Sequence, residues 1–323
     1  MNNYNIVVTF WVNEDQKKLF NNLLKGKGTV KFLKDVPKEN RYKLVENADI
    51  LIAWNPVKEL KNISEEKMSQ IKFVQLLSAG YDQVNFEQFP SSCRIACNKG
   101  AYSEPMAEHI VGMILALYKN LLVQHQSMAK GEFDQVSENR SLKNSTCGII
   151  GFGGIGKATA KLLKSFDTKI FAINTSGETD EEVDFIGKLK DIDYVLKNTD
   201  IIIISIPLND ATKNLITKRE LELMKPDGMI INVARGAIIN EKDLYNHLKN
   251  NKNFLAGIDA WWNEPFSKGS FELDFPFFEL PNVLGSPHNS AVVPGSLQFG
   301  AERAIKNVLN FIDKKEITGL IKN

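Results

Sequence analysis

Residues 147–156 read CGIIGFGGIG, and no other stretch of this 323-residue chain narrows its fold as much. An apolar run, Gly148-Ile149-Ile150, leads into Gly151-x-Gly153-x-x-Gly156, and Lys157-Ala-Thr-Ala-Lys-Leu-Leu-Lys continues with helical periodicity. A dinucleotide site needs this succession. Gly151 would make the tight turn out of a strand, and Gly153 would let the main chain approach a pyrophosphate. Gly156 would let the helix lie close on the strand, while the helix N-terminus offers unpaired N–H groups to the phosphates. Glycine-rich turns are common, so the motif alone is weak. The apolar run before it and the helical run after it give it weight.

The next apolar run, Lys169–Ile173, reads as the second strand of such a unit. Dinucleotide sites usually place Asp or Glu about 20 residues past the glycines, where it accepts from the adenosine ribose. This chain has Asn174-Thr175-Ser176 there. With neutral donors and no carboxylate to repel a 2′-phosphate, both NAD(H) and NADP(H) stay open. Lys157 and Lys169 are the cations within reach by sequence.

The rest of the chain alternates in the same way. Strands are expected at 5–12, 29–33, 50–54, 73–77, 94–97, 200–207, 228–233, 254–259 and 282–285. Helices are expected at 14–24, about 64–70, one long segment from 103 to 129, and 295–311. Such alternation predicts an α/β fold with parallel sheets and helices on both faces. Ligands bind outside the carboxyl ends of such strands. Ser78-Ala79-Gly80 ends one strand and leaves backbone N–H groups uncovered for an anion, or is a plain turn. Arg235 follows another between small residues, where its planar fork suits a carboxylate. His288 alone among four histidines stands in a turn after a strand. His109, His125 and His247 lie in helical segments and are expected to pack or face solvent. Glu108 and His109 adjoin, but neighbours on a helix do not face one another.

Composition closes off other classes. Forty Lys and Arg against 39 Asp and Glu give a net charge of +1, which favours neither nucleic acid nor an anionic membrane. The N-terminus lacks a basic secretory n-region, and no apolar run approaches the roughly 18 residues of a bilayer span. Cys93, Cys97 and Cys147 are too few for a disulfide framework and lack partners at metal-ligand spacing, so reduced core residues, no metal and a cytoplasmic protein are expected.

Taken together, Gly151-x-Gly153-x-x-Gly156, Asn232-x-Ala234-Arg235-Gly236, Asp259-x4-Glu264-Pro265 and Pro287-His288 resemble the D-isomer-specific 2-hydroxyacid dehydrogenases. Ser78-Ala79-Gly80-Tyr81-Asp82, Asn98-Lys-Gly100, Ala107-Glu108-His109 and Met224-Lys225-Pro226 extend the resemblance over nearly the whole chain. It implies two Rossmann-like or flavodoxin-like doubly wound domains with a cleft between them. Residues 1–99 and 288–323 would form a discontinuous substrate domain, and 100–287 the NAD(P)-binding domain, paired with a second copy as a homodimer through the long helix. The implied reaction interconverts a small 2-oxo acid and its D-2-hydroxy acid. Arg235 would bind the substrate carboxylate and polarise the carbonyl, His288 would donate or accept the proton, and Glu264 would hold the imidazole. Ser78, Ala79 and Gly80 would contact substrate from the other domain. Gly154 and Ile155 would face the pyrophosphate, Asn174 and Thr175 the ribose, and Pro207, Val233, Ala234, Arg235 and Asp259 the rest of the cofactor.

The chain departs from the family pattern in three places. Asn174 stands for an acidic residue, Gly154 for a larger polar one, and Trp261-Trp262 is bulky enough to shape the substrate pocket along with Trp54 and Tyr102. The chain ends soon after its last helix, so no regulatory domain of the longer phosphoglycerate dehydrogenases is expected. Two other functions use this fold: dinucleotide-sensing corepressors of the C-terminal-binding-protein type, and oxidation of another small anion such as phosphite or formate. Formate-specific relatives carry an amide where Glu264 stands.

Overall fold

The computed structural model describes residues 3–265 and 269–322. Its strands in chain order are β1 (Tyr4–Val8), β2 (Gly28–Phe32), β3 (Ile50–Ala53), β4 (Phe73–Leu76), β5 (Arg94–Ala96), β6 (Thr146–Ile150), β7 (Lys169–Ile173), β8 (Phe185–Gly187), β9 (Ile201–Ile204), β10 (Met229–Asn232), β11 (Leu255–Ile258), β12 (Val283–Gly285) and β13 (Leu320–Lys322). The α-helices are α1 (Glu14–Leu23), α2 (Arg41–Glu46), α3 (Pro56–Glu59), α4 (Ser103–Tyr118), α5 (Leu121–Ala129), α6 (Gly154–Lys164), α7 (Ile192–Asn198), α8 (Lys218–Leu223), α9 (Glu241–Asn250) and α10 (Ser296–Ile312). The chain divides into two compact units: unit 1 is Met1–Tyr102 with Val293–Asn323, and unit 2 is Ser103–Val292.

In unit 2 the strands run parallel in the order β12-β11-β10-β9-β6-β7-β8. The four consecutive isoleucines of β9 show why. Side chains alternate across a strand, so a run apolar at every position is stable only with both faces covered. Ile202 and Ile204 enter one core with Val195 and Leu196 of α7, Leu221 of α8, and Leu244 and Leu248 of α9. Ile201 and Ile203 enter the other with Ile110, Met113, Ile114 and Leu117 of α4 and Leu163 of α6. Each buried isoleucine contributes roughly 1.5–3 kcal/mol.

Unit 1 repeats the plan with the order β13-β5-β4-β3-β1-β2, parallel except for β13, which pairs antiparallel to β5. Ile6, Val8, Ile50 and Ile52 pack with Phe20 of α1 and Ala304, Ile305 and Val308 of α10. Val7, Leu51, Val74 and Leu76 meet Val45, Leu60 and Met68 on the other face. The doubly wound α/β architecture expected from the alternating pattern is thus present in both units.

Several local expectations need correction. The expected helix at 103–129 is two helices whose axes differ by 55°. Between them Asn120 takes a left-handed φ of 49°, a conformation asparagine reaches at low cost, although the apolar periodicity continues across it. The helix expected near 64–70 is one 3-10 turn, Glu65–Met68, whose preceding Ser64 makes no capping bond. The strand expected at 200–207 stops at Ile204, where Ser205 Oγ turns to donate to Gly151 O at 2.9 Å. The strand expected at 5–12 stops at Val8, after which Thr9 Oγ1 donates to Glu59 Oε2 at 2.5 Å. The Phe- and Pro-rich loop after Pro265 begins with residues 266–268, outside the described residues.

Candidate active site

From β6 the sheet of unit 2 grows one way through β7 and β8 and the other way through β9 to β12. The strand order reverses between β6 and β9, the place where open α/β sheets bind ligands. Because the strands are parallel, the residues that follow them share one edge. Gly151, Gly153, Gly154, Ile155 and Gly156 follow β6, Asn174 and Thr175 follow β7, and Pro207 follows β9. Val233, Ala234 and Arg235 follow β10, Asp259 follows β11, and His288 comes just after β12.

At the reversal, Gly151 has φ +107°, and a Cβ there would lie 2.5 Å from Ser205 O. A Cβ on Gly156 would lie 2.5 Å from Gly151 O, so α6 packs on β6 closer than any side chain allows. Gly153 is the N-cap of α6 and supplies no side-chain cap. The N–H groups of its first turn are thereby left for an anion, and the chain's residues fit a pyrophosphate.

At the other end of the edge, Glu264 and His288 meet. His288 Nδ1 lies 2.9 and 2.8 Å from Glu264 Oε1 and Oε2, and Trp261 N–H donates to Oε1 at 2.7 Å. Burial pushes the Glu264 carboxyl up. The His288 hydrogen bond and charge, the Trp261 N–H and the Arg235 charge outweigh it and hold the group below its ordinary 4.5. With Nδ1 engaged, the imidazole is fixed in orientation and its Nε2 is the nitrogen left for a reacting group.

His288 itself has φ +50°, in the left-handed region, and Asp259 braces it. The main-chain oxygen of Asp259 accepts from His288 N–H at 2.9 Å. Its fully buried carboxylate accepts from Ser286 Oγ (2.6 Å), Asn289 N (3.2 Å) and Ser290 N (3.3 Å). Ser286 Oγ also meets His109 Nε2 at 2.9 Å. Arg235 follows a turn shaped by Asn232, whose amide accepts from Ala234 N–H and donates to Arg235 O, at 3.0 and 2.9 Å.

Within unit 1, the Ser78-Ala79-Gly80 loop follows β4. Leu77 O, just before it, accepts from Asn98 Nδ2 (3.1 Å) and Tyr102 Oη (2.9 Å), and Asn98 N–H donates to Ser78 O (2.9 Å). The Tyr102 phenol is pushed up to about 12, chiefly by burial. At the ends of β1 and β3, burial raises the Glu59 carboxyl despite hydrogen bonds from Thr9, Asn55 and Trp54.

A family model described as D-isomer specific 2-hydroxyacid dehydrogenase, NAD binding domain, matches residues 111–290. The chain belongs to this family. D-3-phosphoglycerate dehydrogenase of Methanocaldococcus jannaschii is 30% identical over 290 residues, 88% of this chain and 53% of that protein, so the chain spans about half the length of that relative. Hydroxypyruvate reductase of Thermotoga maritima is 27% identical over 284 residues, 87% of this chain and 90% of that one. In fold, a D-isomer specific 2-hydroxyacid dehydrogenase family protein of Aeromonas salmonicida superposes with a TM-score of 0.82 at 24% identity, covering 99% of each chain.

Against this family background, three expectations sharpen or change. Trp261 packs in the core of unit 2, 5% exposed, its indole N–H donates to Ser286 O at 2.8 Å, and its own main chain anchors Glu264. Lys169 begins β7, so it sits at the strand end opposite the cofactor edge and cannot serve a 2′-phosphate. His109 is not merely a packing residue of α4 but a partner of Ser286 in the brace beneath His288. The contacts of Asn98, Ser286 and the Trp261 N–H are not legible in the sequence because they join residues far apart or use the main chain. The spacing Pro287-His288 with a preceding Ser was the one available hint.

Proposed function

We propose that this chain interconverts a small 2-oxo acid and its D-2-hydroxy acid, with His288 as proton donor and acceptor and Arg235 as the carboxylate and carbonyl ligand. Unit 2 is assigned to the nicotinamide dinucleotide, NAD(H) or NADP(H), and unit 1, with Ser78, Ala79 and Gly80, to the substrate. When bound, the dinucleotide supplies or takes the hydride at substrate C2. His288 Nε2 gives its proton to the substrate oxygen on reduction and takes it back on oxidation. Glu264 holds the ring in one orientation and faces the positive charge that His288 carries in one of those states. The Arg235 fork pairs with the substrate carboxylate and draws charge toward the carbonyl oxygen. Asp259 and Ser286 keep the His288 turn in its left-handed conformation. The observation that carries the reading is the Glu264–His288 pair at the strand edge that also bears Arg235 and the glycine turn.

A homodimer in the cytoplasm completes the proposal. Leu121, Leu122, Val123 and Met128 of α5 are exposed, apolar surface of the kind a partner covers. Purified chain with NADH and with NADPH against a panel of 2-oxo acids, glyoxylate and hydroxypyruvate among them, is the test. Loss of reduced-nicotinamide absorbance with at least one acid is expected. No oxidation of either dinucleotide by any acid would refute the reading.

A further inference from the structure

The residue that usually selects the dinucleotide is asparagine here, and its amide is largely committed to a turn of its own loop. Asn174 Oδ1 accepts from Gly177 N–H at 2.6 Å, and its Nδ2 donates to Glu178 O at 2.8 Å. Both ends of the amide therefore close a local turn, which the left-handed Gly177 (φ +72°) completes. That turn leads into Glu178-Thr-Asp180-Glu181-Glu182, which runs along α6 from the end of β7 back to its start, where Asp184 N–H donates to Ile170 O at 2.9 Å. Lys157, in the first turns of α6, is ion-paired to Asp180 and lies 3.6 Å from Glu181. Lys164, further along α6, lies 3.5 Å from Glu182. The cation that sequence offered to a 2′-phosphate is thus already engaged by carboxylates, and the other candidate, Lys169, is at the wrong end of its strand.

The adenosine ribose of a dinucleotide lies outside the end of this second strand. We propose that Glu178, Asp180 and Glu181, tied to the first turn of α6 through Lys157, exclude a 2′-phosphate and make NADH the dinucleotide this chain binds. The selectivity then comes from the loop and not from residue 174. It rests on the reading of unit 2 as a nicotinamide dinucleotide site. The opposing candidate is Lys188, whose stem packs on Gly177, where a Cβ would lie 3.0 Å from Lys188 Cγ and Cε. A phosphate that drew Lys157 or Lys188 to itself would reverse the preference.

The test is equilibrium binding, read by nicotinamide fluorescence, of NADH and NADPH to the full chain without substrate. NADH is expected to bind about tenfold tighter, the size of a screened repulsion between two exposed carboxylates and a phosphate dianion. Asp180→Asn with Glu181→Gln should narrow that ratio by tightening NADPH while leaving NADH unchanged, and added salt should narrow it too. Lys157→Gln and Lys188→Gln should leave NADPH no weaker than in the wild type. Equal or tighter NADPH binding to the wild type, or selective loss of NADPH in either lysine variant, would overturn the inference while leaving the dinucleotide site intact. Failure of both dinucleotides to bind would instead overturn the proposed function itself, and the inference with it.

Discussion

Gly156→Ala separates the role of the glycine turn from ordinary helix stability. The added Cβ would sit 2.5 Å from Gly151 O and 3.0 Å from Ile149 Cγ2, both on β6 or its turn. The first contact involves backbone, so no rotamer change relieves it, and α6 must move away from β6. Overpacking of this kind costs about 1–3 kcal/mol, while replacing glycine within a helix returns about 1 kcal/mol. The expected net loss of stability is therefore about 0–2 kcal/mol. The same shift carries the N–H groups of Gly154 and Ile155 off their phosphate positions, and a displacement near 1 Å can cost about 100-fold in a positioned interaction. Urea unfolding and dinucleotide titration on the same sample should show affinity falling far more than stability. Gly112→Ala on α4, where nothing lies within 4 Å of the new Cβ, is the matched control and should gain about 1 kcal/mol. Wild-type dinucleotide affinity in Gly156→Ala would refute the close-packing argument.

His288→Ala should lower turnover by about 10²–10⁴-fold while dinucleotide binding stays measurable, since removing a general acid costs that much; retained turnover would refute the proton-transfer assignment. Glu264 ionises below its ordinary 4.5 in the folded chain, so its ionised form contributes stability that is complete above about pH 4.5 and lost as pH falls through the lowered folded value. Glu264→Gln should accordingly be about 1–3 kcal/mol less stable at neutral pH, with the gap closing toward pH 3; a gap independent of pH would contradict the pairing with His288. Burial pushes the Cys93 and Cys147 thiols up to about 12 and raises Cys97, so none should react with a thiol reagent at neutral pH until the chain unfolds, as mass spectrometry would show. Leu122→Glu with Met128→Glu should convert the proposed dimer to monomer in light scattering, and an unchanged mass would move the interface elsewhere.

What the sequence revealed depended on how local the determining physics was. The β9 run Ile201–Ile204 is buried on both faces, and four consecutive β-branched residues bounded by Asp200 and Pro207 admit few other readings. Lys169–Ile173 likewise matches β7 end to end. The break at Asn120 was invisible because periodicity continues through a residue whose left-handed turn depends only on one φ angle. β13 was invisible for a different reason: three residues near the C-terminus gain strand character only from β5, more than 200 positions earlier. The meeting of Glu264 with His288 spans 24 positions and needed the family resemblance to be suspected at all. Trp261 shows in sequence only its bulk beside an active residue, whereas its indole and amide each hold main-chain or carboxylate groups in place. At Asn174 the side-chain identity was read correctly, but its commitment to Gly177 and Glu178 was not, because a turn's hydrogen bonds leave no periodic trace.

The central claim is that hydride goes to C2 of a 2-oxo acid while His288 protonates the oxygen to give one enantiomer. Turnover with reduced nicotinamide deuterated at C4 tests it most directly. After complete conversion, the hydroxy acid should carry deuterium at C2 on the transferring face's label and be of the D configuration by chiral chromatography. A product of L configuration, or one without deuterium at C2 from either face's label, would contradict the account.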